Sequence, residues 1–137
     1  MSSDIELIKR RMLRELLVQA PVKGRCPAEK QADPEKLNEL LRKCSMVLAD
    51  FWAEWCGPCR LVEPVVAKVG EEYGDTLAVA KVNVDLNPTL AAAFEVYNIP
   101  TLVLFYKGKE ARRFVGYSPR LYQEIVESVR SIRGASE

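Results

Sequence analysis

The run Met46-Val47-Leu48-Ala49-Asp50-Phe51-Trp52-Ala53-Glu54-Trp55-Cys56-Gly57-Pro58-Cys59-Arg60 decides the fold and carries the chemistry. Its first eight residues are almost continuously apolar over the length of one strand, which predicts a central strand buried on both faces. From Cys56 the pattern turns helical. Leu61, Val65, Val66 and Val69 recur at three and four residues, and Pro64 inside the run predicts a kink. Cys56 therefore falls at a helix N-terminus, where unpaired backbone N–H groups and the helix dipole favour a thiolate. Cys59 lies one turn further in, close enough to pair with it, while Pro58 stiffens the turn at no cost in hydrogen bonds. A dithiol that is reactive at one end and shielded at the other suits thiol–disulfide exchange.

Composition narrows the alternatives. The 137 residues contain no histidine, which excludes Ser-His-Asp and Cys-His catalysis and His-ligated metals. A structural zinc would need a second ligand pair, and Cys26 and Cys44 stand eighteen residues apart with no imidazole to help. No metal is expected. Twenty basic against nineteen acidic residues leave a net charge of +1, too little to draw the chain to nucleic acid or an anionic membrane.

On the N-terminal side of this run, Asp33-Pro34 opens a short helix with Leu37, Leu40 and Leu41 on its apolar face, ending near Cys44. On the C-terminal side, Leu77 to Val84 reads as a second buried strand and residues 88 to 97 as a helix. Thr101–Tyr106 and Glu110–Val115 form a strand pair about Lys107-Gly108-Lys109, and Leu121 to Ile132 closes the chain with a helix. This order predicts an α/β fold, a mixed four- or five-stranded sheet with helices on both faces.

Residues 1–33 read as an N-terminal extension and residues 34–137 as the domain. In the extension Ile5, Ile8, Met12 and Leu16 form one stripe of an amphipathic helix over residues 4–18, suited first to packing on its own domain and otherwise to self-association or partner docking. Residues 19 to 33, with Pro21, Gly24 and Pro27, read as a linker. The longest early apolar run of the extension, Leu16-Leu17-Val18, is far short of a signal-peptide core or a membrane span, so no membrane association and a cytoplasmic location are expected.

The stretch Asp50 to Arg60 resembles the active-site signature of the thioredoxin family. Further similarities follow in order: Pro64 in the helix, Ala80-Lys81-Val82-Asn83-Val84-Asp85 on the next strand, Ile99-Pro100-Thr101, Gly108 in the hairpin and Val115-Gly116. The resemblance covers residues 34–137 and implies the thioredoxin fold. It further implies that Cys56 is the exposed attacking thiolate, Cys59 the resolving thiol, Asp50 a buried carboxylate that takes the Cys59 proton, and Lys81 the partner of that carboxylate. It makes Pro100 a cis-proline. The implied docking surface comprises Trp55, Gly57, Pro58, Ile99, Pro100, Thr101, Val115 and Gly116. It also implies protein disulfides as substrates, a thioredoxin reductase as electron donor and no bound cofactor.

Two departures from the family pattern stand out. The first edge strand is not evident between Pro21 and Gln31: either Val22 to Cys26 is a degraded copy of it, or the sheet has four strands and the N-terminal helix covers its edge. Cys26 and Cys44 are extra, and are either a structural disulfide or two reduced thiols. Intracellular disulfides persist chiefly in hyperthermophiles, and only seven Asn plus Gln residues lean toward a thermophilic source. The expected function is a protein-disulfide reductase. The alternative is a redox-switched binding or sensor module with one dedicated partner, and an oxidant or isomerase is disfavoured by Gly-Pro between the cysteines.

Overall fold

The computed structural model describes residues 26–136; the helix expected over residues 4–18, with any self-association through it, lies outside them. The elements run β1 (Ala28–Glu29), α1 (Pro34–Lys43), β2 (Met46–Trp52), α2 (Gly57–Glu72), β3 (Leu77–Asn83), α3 (Pro88–Ala93), β4 (Thr101–Tyr106), β5 (Lys109–Val115) and α4 (Leu121–Ser136). They build one five-stranded sheet in the order β1-β3-β2-β4-β5. β2 is central, parallel to β3 and antiparallel to β4, and β5 pairs antiparallel with β4. No helix among the described residues is long and apolar enough to cross a membrane.

The period of two along β2 sorts its side chains between two cores. Val47, Ala49 and Phe51 join Leu37 and Leu40 of α1 and Ala91 of α3 on one face. Met46 and Leu48 join Val62, Val66 and Val69 of α2 and Leu121, Ile125 and Val129 of α4 on the other. Asp50 shares the parity of Met46 and Leu48, so this carboxylate points into the apolar layer beneath α2. Lys81 has the same parity as Leu77 and Val79 on β3 and stands opposite Asp50 in the ladder.

Local signals account for most boundaries. The Asp33 carboxylate caps α1 by accepting from the Lys36 N–H at 2.8 Å. Lys107 and Gly108, with φ of 53° and 82°, make the left-handed turn between β4 and β5. The helix expected over residues 88 to 97 is shorter, ending at Ala93. Arg113 of β5 donates to the carbonyls of Phe94 and Glu95 at 2.7 and 3.0 Å, and Glu95 turns to a φ of 55°. The left-handed Glu95 closes the helix, the Val96 N–H returning to the Ala91 carbonyl at 2.9 Å, and Arg113 holds the carbonyls just beyond it.

The edge strand is the element the sequence showed least. Among the described residues it is Ala28–Glu29, which gives the sheet five strands, the larger of the two numbers expected; Val22 to Arg25 lie outside the described residues. Two residues are too few to show alternation, and their pairing is visible only from β3, where Ala28 stands opposite Val79 and Glu29 opposite Ala80. The Ala32 N–H then donates to the Lys81 carbonyl at 2.9 Å, so part of the stretch read as linker belongs to the sheet.

Cys26 and Cys44 are joined by a disulfide, with Cα atoms 6.1 Å apart, which fastens the start of β1 to the end of α1. An 18-residue separation gives a chain-entropy contribution of roughly 3 kcal/mol. We expect native protein to resist alkylation at both cysteines until it is reduced. Replacing both with serine should lower stability by about 2–3 kcal/mol in urea titration, and labelling of both thiols without reductant would contradict the bond.

Candidate active site

Cys56 caps α2 from an extended conformation, and its Sγ accepts from the Cys59 N–H at 3.2 Å. The same N–H would stabilise a thiolate on Cys56 once the bond is reduced. Cys56 and Cys59 form a disulfide with Cα atoms 5.4 Å apart. Both are buried, Cys56 to 4% exposure, which differs from the expectation of an exposed sulfur. In this oxidised state Cys56 packs with Ala53, Trp52 and Ile99, and access to it depends on how a target approaches that apolar rim. Pro64 has no N–H to return to Arg60, so α2 lacks one rung just past the cysteines.

Beneath the disulfide lies Asp50, 1% exposed, with no hydrogen-bond partner for either carboxylate oxygen among the described residues. Burial raises its pKa to about 7, moderated by the attraction of Lys81 and reinforced by the negative charge of Glu63. A cavity of about 340 Å³ connects these groups, lined by Asp50, Trp52, Cys59, Glu63 and Lys81 among others. It is large and polar enough to admit water beside both Asp50 and Cys59.

Lys81 does not bond Asp50. Its Nζ lies 2.6 Å from Glu63 Oε2 and 5.1 Å above the Trp52 ring. Glu63 is not among the residues singled out from the sequence, although its spacing of four from Cys59 puts both on one face of α2. Nor does the sequence show that Trp55, 70% exposed, is steered by Asp85, to which its Nε1 donates at 2.8 Å.

The peptide bond before Pro100 is cis. The Gly116 N–H donates to the Pro100 carbonyl at 2.7 Å, and its φ of 82° suits glycine. Pro100 itself is buried, and Ile99 is half-buried beside the cysteines. Gly57, Pro58, Trp55 and Val115 are exposed. Thr101 departs from the expected docking set: it is buried, and its hydroxyl donates to the Asn98 carbonyl. The alternation of β4 turns its side chain inward.

A cysteine pair at disulfide distance on a helix N-terminus, above a buried carboxylate on the central strand, defines a thiol–disulfide oxidoreductase. The thioredoxin family model matches residues 29–130. The chain is 46% identical over 86 residues to a thioredoxin of Mycoplasma pneumoniae, covering 63% of this chain and 83% of that protein. The solved structure of a point mutant of the thioredoxin from Halobacterium salinarum superposes with a TM-score of 0.65 at 41% identity, covering 74% of this chain and 88% of that one. A third relative, 46% identical over 84 residues (61% of this chain and 18% of its own), is a bifunctional thioredoxin reductase/thioredoxin from Mycobacterium leprae. The chain belongs to the thioredoxin family.

Proposed function

We propose that this oxidoreductase works as a cytoplasmic reductase of protein disulfides, with Cys56 as nucleophile, Cys59 as resolving thiol and Asp50 as the base that serves Cys59. The Cys56 thiolate attacks one sulfur of the target disulfide and the other target sulfur leaves as a thiolate. Asp50 then takes the Cys59 proton, by way of water in the cavity that both residues line. The Cys59 thiolate attacks Cys56, expels the second target thiolate and leaves the Cys56–Cys59 disulfide. Two electrons from a thioredoxin reductase restore the dithiol. Thioredoxins act on disulfide substrates and are reduced by such enzymes, and the Mycobacterium leprae relative carries both names in one chain.

The target is held as an extended segment against Ile99 and cis-Pro100, with Trp55, Gly57, Pro58, Val115 and Gly116 framing Cys56. Lys81 supplies positive charge near the Asp50 carboxylate. The observation that carries the reading is Asp50 itself, a carboxylate with no hydrogen-bond partner among the described residues, lining a cavity that Cys59 also lines. Burial tunes it to ionise near neutrality.

The test is dithiothreitol-driven reduction of insulin by wild type and Asp50→Asn at pH 7 and pH 9. The variant should be slower by roughly tenfold or more at pH 7. The gap should narrow at pH 9, where Cys59 loses its proton to solvent unaided. Equal slowing at both pH values would remove the base role from Asp50.

A further inference from the structure

One ammonium group stands near two carboxylates, and it is bonded to the outer one. Lys81 Nζ is 2.6 Å from Glu63, whereas neither oxygen of Asp50 has a hydrogen-bond partner among the described residues. The Lys81 side chain is only 18% exposed and that of Glu63 is 58% exposed, so the pair sits at the mouth of the cavity that reaches Asp50 and Cys59. A half-exposed ion pair contributes little to stability. Its consequence is where it leaves the charge of Lys81.

We propose that Glu63 is a positioning residue of the proton-transfer site: it holds Lys81 off the Asp50 carboxylate and so sets the pH at which Asp50 can accept the Cys59 proton. This rests on the reading of Asp50 as the base and adds the residue that tunes it. The charged and titratable groups facing Asp50 are few. Lys81 comes from β3; Cys59, Arg60 and Glu63 come from α2; and Glu54 comes from the turn before it. Arg60 donates from Nη2 to the Glu54 carbonyl at 3.4 Å, and the charges that act on Asp50 are those of Lys81 and Glu63. Lys81 and Glu63 are therefore the pair that can shift the balance. Lys81 in turn holds Glu63 below the usual carboxylate range through its hydrogen bond, so Glu63 stays charged throughout the pH range of the reaction.

Two effects follow, both of one sign. The negative charge of Glu63 opposes ionisation of Asp50, and its grip on Lys81 withholds a cation that would favour ionisation. Replacing Glu63 with glutamine removes both. Asp50 should then ionise at lower pH, and as a weaker base it should assist Cys59 less.

The experiment is an NMR titration of the Asp50 side-chain carboxyl carbon in the oxidised full chain, for wild type, Glu63→Gln, Lys81→Gln and the double variant. Glu63→Gln should lower the Asp50 midpoint by roughly one pH unit, and Lys81→Gln should raise it. In the Lys81→Gln background the Glu63 substitution should have at most half its original effect, because no ammonium remains to be released. The pH profile of insulin reduction by Glu63→Gln should move to lower pH in step. An unchanged Asp50 midpoint in Glu63→Gln would overturn the proposal, as would an equal shift with and without Lys81. A midpoint that moves as expected while the profile of insulin reduction stays still would overturn the base role of Asp50 and with it the kinetic half of the proposal, leaving the electrostatic half standing.

Discussion

Replacing Cys56 with serine is expected to reduce insulin reduction to the uncatalysed rate. A serine hydroxyl remains protonated under conditions where a thiol at this helix N-terminus ionises, and oxygen cannot take the place of sulfur in the mixed disulfide. The Cys59 N–H, donated to Cys56 Sγ at 3.2 Å, would stabilise the thiolate form on which the attack depends. Cys59→Ser should behave differently. The attack by Cys56 survives, resolution fails, and a mixed disulfide with the target accumulates. Turbidity of reduced insulin reads the first outcome and mass spectrometry of the trapped adduct reads the second. Turnover by Cys56→Ser at the wild-type rate would take the nucleophile's role away from Cys56.

The second large effect runs against the usual direction of mutations. Asp50→Asn should make the oxidised protein more stable at pH 8 by about 3–4 kcal/mol, an increase of roughly 10 °C in Tm. The folded carboxyl ionises at about 7, against an unfolded value near 4. A raised acid favours the folded state while it is protonated, so wild type loses that advantage as the pH climbs from about 4 through 7. Above this window the charge is fully formed and buried, with no hydrogen-bond partner among the described residues. The neutral amide never incurs that cost. Urea titrations at pH 4 and pH 8 check the sign: the two proteins should converge at pH 4 and separate at pH 8. A constant difference would mean that the charge is not its cause.

The two expectations belong together. A carboxylate placed in an apolar layer lowers stability, and its proton affinity near neutrality is what the exchange reaction uses. Glu63 raises that proton affinity from the surface while Lys81 lowers it, so one exposed residue on α2 tunes a buried group on β2.

Elements whose signals are local could be read from the chain unaided. The apolar run Met46–Trp52 had to be a central strand, because no single-sided strand buries every residue. Asp33-Pro34 had to start a helix, and Lys107-Gly108 had to turn a hairpin. The cysteine pair was legible because a helix N-terminus and a spacing of three suffice to bring two sulfurs together. What depends on partners distant in the chain was settled only by folding. β1 is a strand only because β3 offers it an edge, and Arg113 reaches from β5 to hold the carbonyls of Phe94 and Glu95 just past the end of α3. The isomer before Pro100 and the bond between Cys26 and Cys44 likewise follow from surroundings that spacing does not encode. The choice of Lys81 between Asp50 and Glu63 is of the same kind. Parity placed Lys81 on the correct face, but which carboxylate it reaches is set by a strand and a helix meeting at the mouth of one cavity, where the exposed anion is the less costly to pair and the buried one is left to ionise alone.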